Sequence, residues 1–252
     1  MPRYSLLIEY DGGPYCGWQI QDKHPSVQAA VEQAAAKIDG AFVRVYGSGR
    51  TDSGVHALGQ IAHMDMVKNI REDKLRDAMN YHLGDHPITI LDAQMTDDDF
   101  HARFDATERE YLYRIIDRRP KLALDRGRLW RIPQKLDVEA MHHAAQILVG
   151  EHDFSTFRDK NCQAKSPIKT LDIIRVSRIG DEIHVTVKAR SFLHRMVRSI
   201  VGCLAEVGTG KWDASDMKAA LESRDRKQCG PVSPPDGLYL VAIKYAAYDD
   251  KD

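Results

Sequence analysis

The spacing of apolar residues gives a strand-helix-strand-strand-helix-strand order over the first hundred positions. Arg3–Tyr10 alternates polar and apolar side chains, the period of a half-buried strand. Val27, Ala30, Val31, Ala34 and Ile38 recur at helical spacing and predict a helix over Val27–Ile38 with Ser26 as its N-cap. Phe42–Tyr46 and Leu58–Met66 read as strands on either side of a loop rich in Gly and Ser. Arg71–Leu83 reads as a helix with Leu75, Met79 and His82 or Leu83 inward, and Pro87 opens a strand over Ile88–Met95.

The same order returns in the second half. Glu110–Ile116 reads as a strand, Val138–Val149 as a helix, and Lys169–Val176 with Ile183–Arg190 as a hairpin turning across Arg178–Asp181. Phe192–Val207 reads as a helix capped by Ser191, followed by a short helix Ala214–Leu221 and a last strand Leu238–Tyr245. The expected fold is α/β (α+β): two ferredoxin-like halves forming one extended mixed or antiparallel sheet, with helices on one side and a central cleft. The expected division is 1–100 and 101–252, with Asp97–Arg109 as the joint.

Composition narrows the class. The chain has 252 residues, 43% hydrophobic and 29% charged, the balance of a soluble globular protein. That length supports a core without staples. No run approaches the roughly 18 apolar residues of a membrane span. The first ten residues alternate like a strand and lack a signal-peptide core, so a cytoplasmic protein is expected. Cys16, Cys162, Cys203 and Cys229 form no CxxC pair, which argues against a disulfide scaffold or a cysteine zinc site. The net charge of −1 hides a segregation. Residues 1–100 carry 9 basic and 15 acidic groups, whereas residues 101–200 carry 20 and 13. A basic middle third can face a polyanion, and it can equally be a solvated surface.

Three segments could carry chemistry. Gly47-Ser-Gly-Arg-Thr-Asp-Ser-Gly54 joins two strands and is neither a P-loop nor a dinucleotide fingerprint. One reading is a hairpin turn with Asp52 in an Asx-turn. The other starts from its length, since a hairpin needs two to five loop residues and this one spends about eight. Arg50 and Asp52 project to one side of an extended segment, and a carboxylate kept ionised by an arginine is suited to act as a nucleophile or cation stabiliser. The second segment, Phe100–Arg114, interleaves Phe100, His101, Tyr111 and Tyr113 with Arg103, Arg109 and Arg114; Arg118 and Arg119 follow. It reads as core strand or as a surface that stacks a base and holds phosphate. In the third, Arg190–Gly202, a broad apolar stripe carries His194, Arg195 and Arg198 on its flank, poised for a carboxylate, an anionic ligand or an ordinary surface pair. His82 and His86 have i, i+4 spacing, but Gly84 and Pro87 interrupt the helix that would align them, so no metal site is expected.

Taken together, Gly-Arg50-Thr-Asp52-Ser-Gly-Val-His-Ala, Phe100-His-Ala-Arg103, the Tyr111 strand and Phe192-Leu-His-Arg-Met-Val-Arg198 resemble the tRNA pseudouridine synthase A family of the pseudouridine synthase superfamily. The resemblance runs from Tyr4 to Leu240. It implies isomerisation of uridine to pseudouridine at positions 38, 39 and 40 in the anticodon arm of tRNA, by a homodimer needing neither metal nor organic cofactor. It further implies that Asp52 is the essential carboxylate, Tyr111 the residue stacked on the target uracil, Arg198 the carboxylate's partner and Arg50 a contact of the flipped-out nucleotide. Phe100, His101 and Arg103 are expected on the RNA side. Arg195 departs from the pattern, at a position where His or Tyr is common. Two rivals remain: an RNA-binding module with Asp52 as a turn residue, and a nucleoside or glycoside hydrolase. A retaining hydrolase would need a second carboxyl group about 5 Å away, for which Asp11 is the candidate.

Overall fold

A computed structural model describes residues 1–246. In chain order these form β1 (Arg3–Tyr10), α1 (Val27–Asp39), β2 (Val45–Gly47), β3 (His56–Asp65), α2 (Glu72–Leu83), β4 (Ile88–Thr96), β5 (Ala106–Asp117) and β6 (Trp130–Ile132). There follow α3 (Val138–Gln146), β7 (Gly150–Asp153), β8 (Ile168–Leu171), β9 (Ile173–Ile179), β10 (Glu182–Ala189), α4 (Met196–Gly208), α5 (Ala214–Ser223) and β11 (Leu238–Tyr245). The described chain is a mixed α/β protein of two compact units: Met1–Thr107 with Leu240–Ala246, and Glu108–Tyr239.

In the first unit β1 lies between β3 and β4, antiparallel to both, and β2 pairs with β3, giving the order β4-β1-β3-β2. α1 and α2 pack on each other, and α2 on β4. Tyr4, Leu6 and Ile8 of β1 are fully buried, as are Val31 of α1 and Leu75 and Met79 of α2. Each such side chain contributes about 1.5–3 kcal/mol of burial, so the alternation that predicted β1 is also what holds it. Ser26 caps α1 by accepting the Ala29 N–H at 3.3 Å, as its place before the apolar run predicts. β11 belongs to this unit from Leu240 on. Tyr245 donates to the Ala102 carbonyl at 2.7 Å and packs on Phe100, so a strand read with the second half serves the core of the first.

In the second unit β10 pairs antiparallel with β5 and β9, and β6 runs parallel to β5. Its core gathers Tyr113, Ile115, Val185, Met141, Phe154, Ile200 and Leu204, all fully buried. Asp117, 1% exposed, takes both Arg178 guanidinium nitrogens at 2.9 and 2.7 Å and the Leu136 N–H at 3.0 Å. Burial opposes its ionisation, but these bonds win and hold the carboxyl down at about 2.

Four expectations are corrected here. Of the predicted strand Phe42–Tyr46 only Val45 and Tyr46 enter the ladder, which continues to Gly47. The predicted strand Lys169–Val176 is two strands, because β8 pairs with β7 while the Asp172 N–H turns to the Lys188 carbonyl. The helix expected to Val149 stops at Gln146, and β7 takes up the chain from Gly150. α4 starts at Met196, not Phe192, and Ser191 does not cap it. The backbone of 192–195 has other partners: the His194 N–H donates to Cys162 Sγ at 3.4 Å, and its carbonyl accepts from Asp159 at 3.1 Å. Arg195 occupies the N-cap in the left-handed region (φ 59°) and pairs with Asp159 at 3.1 Å. His194, Arg195 and Arg198 therefore do not share a helix face.

Candidate active site

The loop between β2 and β3 is clamped from within the sheet. Gln60, fully buried on β3, accepts from Ser48 Oγ at 3.0 Å and the Gly49 N–H at 3.2 Å, and donates back to the Gly49 carbonyl at 2.8 Å. An amide matches a peptide group donor for acceptor, so this pair fixes the backbone entering the loop. The far side rests on the segment after β1. The Trp18 N–H donates to the Thr51 carbonyl at 3.2 Å, Tyr10 OH meets Thr51 Oγ1 at 2.8 Å, and Gly54 N–H and Ser53 Oγ both donate to the Tyr15 carbonyl at 3.3 Å. A backbone turn from Val55 N–H to the Asp52 carbonyl at 3.1 Å closes it. Between these supports Arg50 is exposed and Asp52 half-buried. The extra residues are a braced platform that carries Arg50 and Asp52.

Asp11, the rival's second carboxylate, has its Oδ1 2.9 Å from the Gly13 N–H and 3.1 Å from His56 Nδ1. His86 lies beyond the end of α2 with Nδ1 at 3.0 Å from Tyr15 OH, so it and His82 do not share a helix. Among the described residues no group of three or more His, Cys, Asp or Glu could hold a metal ion, and no helix is long and apolar enough to cross a membrane.

The Phe100–Arg103 segment belongs to the same unit but divides in two. Phe100 is 8% exposed and packs against Tyr245, Ala102 and Ala106, so its ring serves the core. His101 is half-buried and Arg103 exposed. His101 Nδ1 accepts the Arg103 N–H at 3.1 Å, and its ring lies 4.6 Å from that of His63. His63, 2% exposed, accepts the Ala102 N–H on Nδ1 at 3.1 Å. Burial first, then repulsion from His101 and Arg3, pushes His63 down to about 4 against the opposing pull of Asp65 and Asp105. The folded protein thus binds this proton less readily than the unfolded chain. Stability present above about pH 6.5 is lost as the pH falls toward 4, ahead of the carboxylates Asp117 and Glu182, which protonate near 2. Thermal melts between pH 7 and 4.5 are expected to show the fall, and His63→Asn, which keeps an acceptor for Ala102 but cannot titrate, to flatten it.

In the second unit Tyr111 is 8% exposed, its ring edge-on to Phe192 with centroids 5.1 Å apart. Arg198 is half-buried on the first turn of α4. Its Nε donates to the Ser233 carbonyl at 2.9 Å, and the Ser233 N–H returns to the Arg198 carbonyl at 3.1 Å. That two-way clasp sets the direction of the guanidinium. Tyr113 donates to the Pro234 carbonyl at 2.7 Å, and burial pushes its phenol well above the usual range. Two arginines read as phosphate contacts have other work. Arg109 is buried and donates to the Arg190 carbonyl. Arg114 forms a two-pronged pair with Glu182 at 2.9 and 2.7 Å and holds that carboxyl down at about 2.

Sequence reasoning passed over Gln60, Ser233 and the segment Tyr15–Trp18. Gln60 had a detectable signal, an uncharged amide at an inward position of an apolar strand, where an unpaired amide would cost several kcal/mol. Ser233 lies in an irregular segment and had none.

The family model for tRNA pseudouridine synthase matches residues 6–105 and 144–246. The chain is 63% identical over 245 residues to tRNA pseudouridine synthase A of Maricaulis maris, covering 97% of this chain and 98% of that protein. It is 59% identical to the protein of the same name from Rhodopseudomonas palustris strain HaA2 and 60% to that of Afipia carboxidovorans, in each case over 97% of this chain and 100% of the relative. The chain belongs to the tRNA pseudouridine synthase family, and is an isomerase.

Proposed function

We propose that this enzyme converts uridine to pseudouridine at positions 38, 39 and 40 in the anticodon stem and loop of tRNA, with Asp52 as the nucleophile. The observation that carries the reading is the platform itself: an eight-residue loop held by Gln60 on one side and Tyr10, Tyr15 and Trp18 on the other, with Asp52 half-buried within it. Cleaving the C1′–N1 bond builds positive charge on the sugar, as glycoside cleavage does, so a carboxylate at C1′ lowers the barrier. In this route an Asp52 oxygen bonds to C1′ while the C1′–N1 electron pair leaves on the uracil. The uracil turns, C5 attacks C1′ and displaces the carboxylate, the C5 proton passes to solvent, and N1 takes a proton from solvent in its place. No atom is gained or lost overall, and no metal or organic cofactor is called for.

The target must leave the stack before this chemistry can start. Arg50 is assigned to the flipped-out nucleotide, Tyr111 to the face of the uracil, and Arg198 to balancing the charge of the carboxylate. His101 and Arg103 are assigned to the RNA backbone. The enzyme is proposed to work in the cytoplasm as a homodimer. The experiment is tritium release from tRNA carrying [5-³H]uridine, since forming the C5–C1′ bond expels that hydrogen. Release without free uracil supports the isomerase. Free uracil would make the enzyme a hydrolase, and tRNA binding without release would leave an RNA-binding module.

Affinity for tRNA is expected to fall with salt, because neutralised phosphates release counterions. A transcript titrated between 50 and 200 mM salt should lose binding by a factor of ten or more if three or more phosphates are contacted, the slope being about −0.9 per contact on duplex and −0.7 on single strands. A flat response would remove the basic residues from the RNA face.

A further inference from the structure

Outside the aspartate loop, the first unit exposes aromatic rings paired with arginines. Phe42, Arg44 and Tyr46 alternate along the chain entering β3's neighbour β2, all exposed, with Phe42 at 68% and Tyr46 at 48%. The Arg44 guanidinium lies over the Phe42 ring at 5.1 Å. Tyr46 is stacked on His63 with centroids 5.1 Å apart and planes 17° from parallel. His63 meets His101 at 4.6 Å, and His101 meets Phe104 at 4.3 Å. Phe104 is 68% exposed, with the Arg103 guanidinium over its ring at 5.7 Å. Single exposed apolar residues are ordinary, but Tyr46, His63, His101 and Phe104 touch in sequence, and cations sit on Phe42 beside them and on Phe104.

We propose that this surface is a stacking platform for unpaired nucleotides of the RNA substrate, with bases on Tyr46 and Phe104 and phosphates on Arg44 and Arg103. It rests on the reading of the enzyme as one that acts on tRNA. Single strands are held by aromatic faces beside cations, and every base has a face to stack. Charge decides between RNA and a second copy of this chain. A two-fold contact brings a patch onto itself and would set these arginines against their own copies, whereas a phosphate backbone complements them. Tyr46 is also seated in advance, since its ring lies on a buried histidine that is itself anchored through the Ala102 N–H, so little freedom is lost when a base lands on it.

The test measures binding of an unmodified tRNA transcript, and tritium release from the same RNA, by the full chain and four variants. Tyr46→Ala and Phe104→Ala are each expected to weaken binding about five- to a hundredfold, raising KM with kcat unchanged. Tyr46→Phe and Phe104→Tyr, which keep the ring, should bind as the wild type does. Sedimentation and melting temperature are measured alongside. Alanine variants that bind within twofold of wild type overturn the proposal while leaving the isomerase reading intact. So do variants that lose affinity only by changing oligomeric state or by unfolding. Weakened binding in a protein that never releases tritium would leave the platform standing and overturn the isomerase. A 2-aminopurine placed at an unpaired anticodon-loop position gives a second readout on the wild type alone. Its fluorescence should be quenched on binding, and an increase would mean that no ring receives that base.

Discussion

Asp52→Asn is expected to abolish tritium release, lowering the rate by at least about 10⁴, the scale on which enzymes respond to loss of a nucleophile. Asparagine has the same shape but neither the charge nor the nucleophilicity of a carboxylate, so the sugar cation goes unstabilised and no bond to C1′ can form. The brace of the loop comes from Gln60, Tyr10, Tyr15 and Trp18, which the substitution leaves in place. Melting temperature and tRNA affinity should therefore change far less than the rate. A variant that still released tritium would move the chemistry off this carboxylate. One that stopped releasing it only because it no longer bound tRNA would make Asp52 a binding residue.

Gly17→Ala carries the second large effect, because it reaches Asp52 through the backbone. Gly17 is buried with φ at +95°, where an L-residue is strained by about 1–2 kcal/mol. A Cβ there would lie 2.4 Å from the Thr51 carbonyl oxygen and 3.0 Å from the Asp52 carbonyl carbon. Relieving the clash means moving the strand of loop that Trp18 holds through that same carbonyl. The expected result is a loss of about 2–4 kcal/mol in stability, strain and overpacking together, and a rate about 100-fold lower from a shift of about 1 Å at the carboxylate. Gly40→Ala separates the two terms. Gly40 also has positive φ, at +83°, but a Cβ there meets nothing within 4 Å. It should cost stability alone, with kcat unchanged. Equal rates in the two variants would show that the Gly17 contact does not position the loop.

Much of the fold was legible wherever a local pattern and the burial it predicts coincide. β1 has the bounds its alternation predicts, β11 has the bounds expected for the last strand, and α1 begins where Ser26 can cap it and its apolar face can be buried. The errors lie where a distant partner outbids the local pattern. Phe192–Arg195 has the composition of a first helical turn, yet its peptide groups bond Cys162 and Asp159 more than thirty residues away, and α4 starts a turn late. Lys169–Val176 looks like one strand because nothing in its own sequence announces that β7 will claim its first part.

The candidate chemistry divides in the same way. The loop's length, its glycines and the Arg50–Asp52 spacing are properties of consecutive residues, and they were enough to single out the carboxylate. Whether a given side chain faces RNA, core or a fixed partner depends on what the fold brings against it. Phe100 and Arg103 are three positions apart in one motif, and only packing sends the first into the core and the second to the surface. Arg114 read as a phosphate ligand until Glu182, on the neighbouring strand, took its guanidinium. Gln60 read as an ordinary strand residue until its amide was found bonded to Gly49, eleven positions back. Periodicity and loop chemistry are written in neighbouring residues, so sequence alone determined most of the elements and the likeness to a uridine isomerase. Hydrogen-bond and ion partners are chosen across long chain separations, so only the tertiary structure decided which side chains brace the aspartate loop and which are spent on the fold.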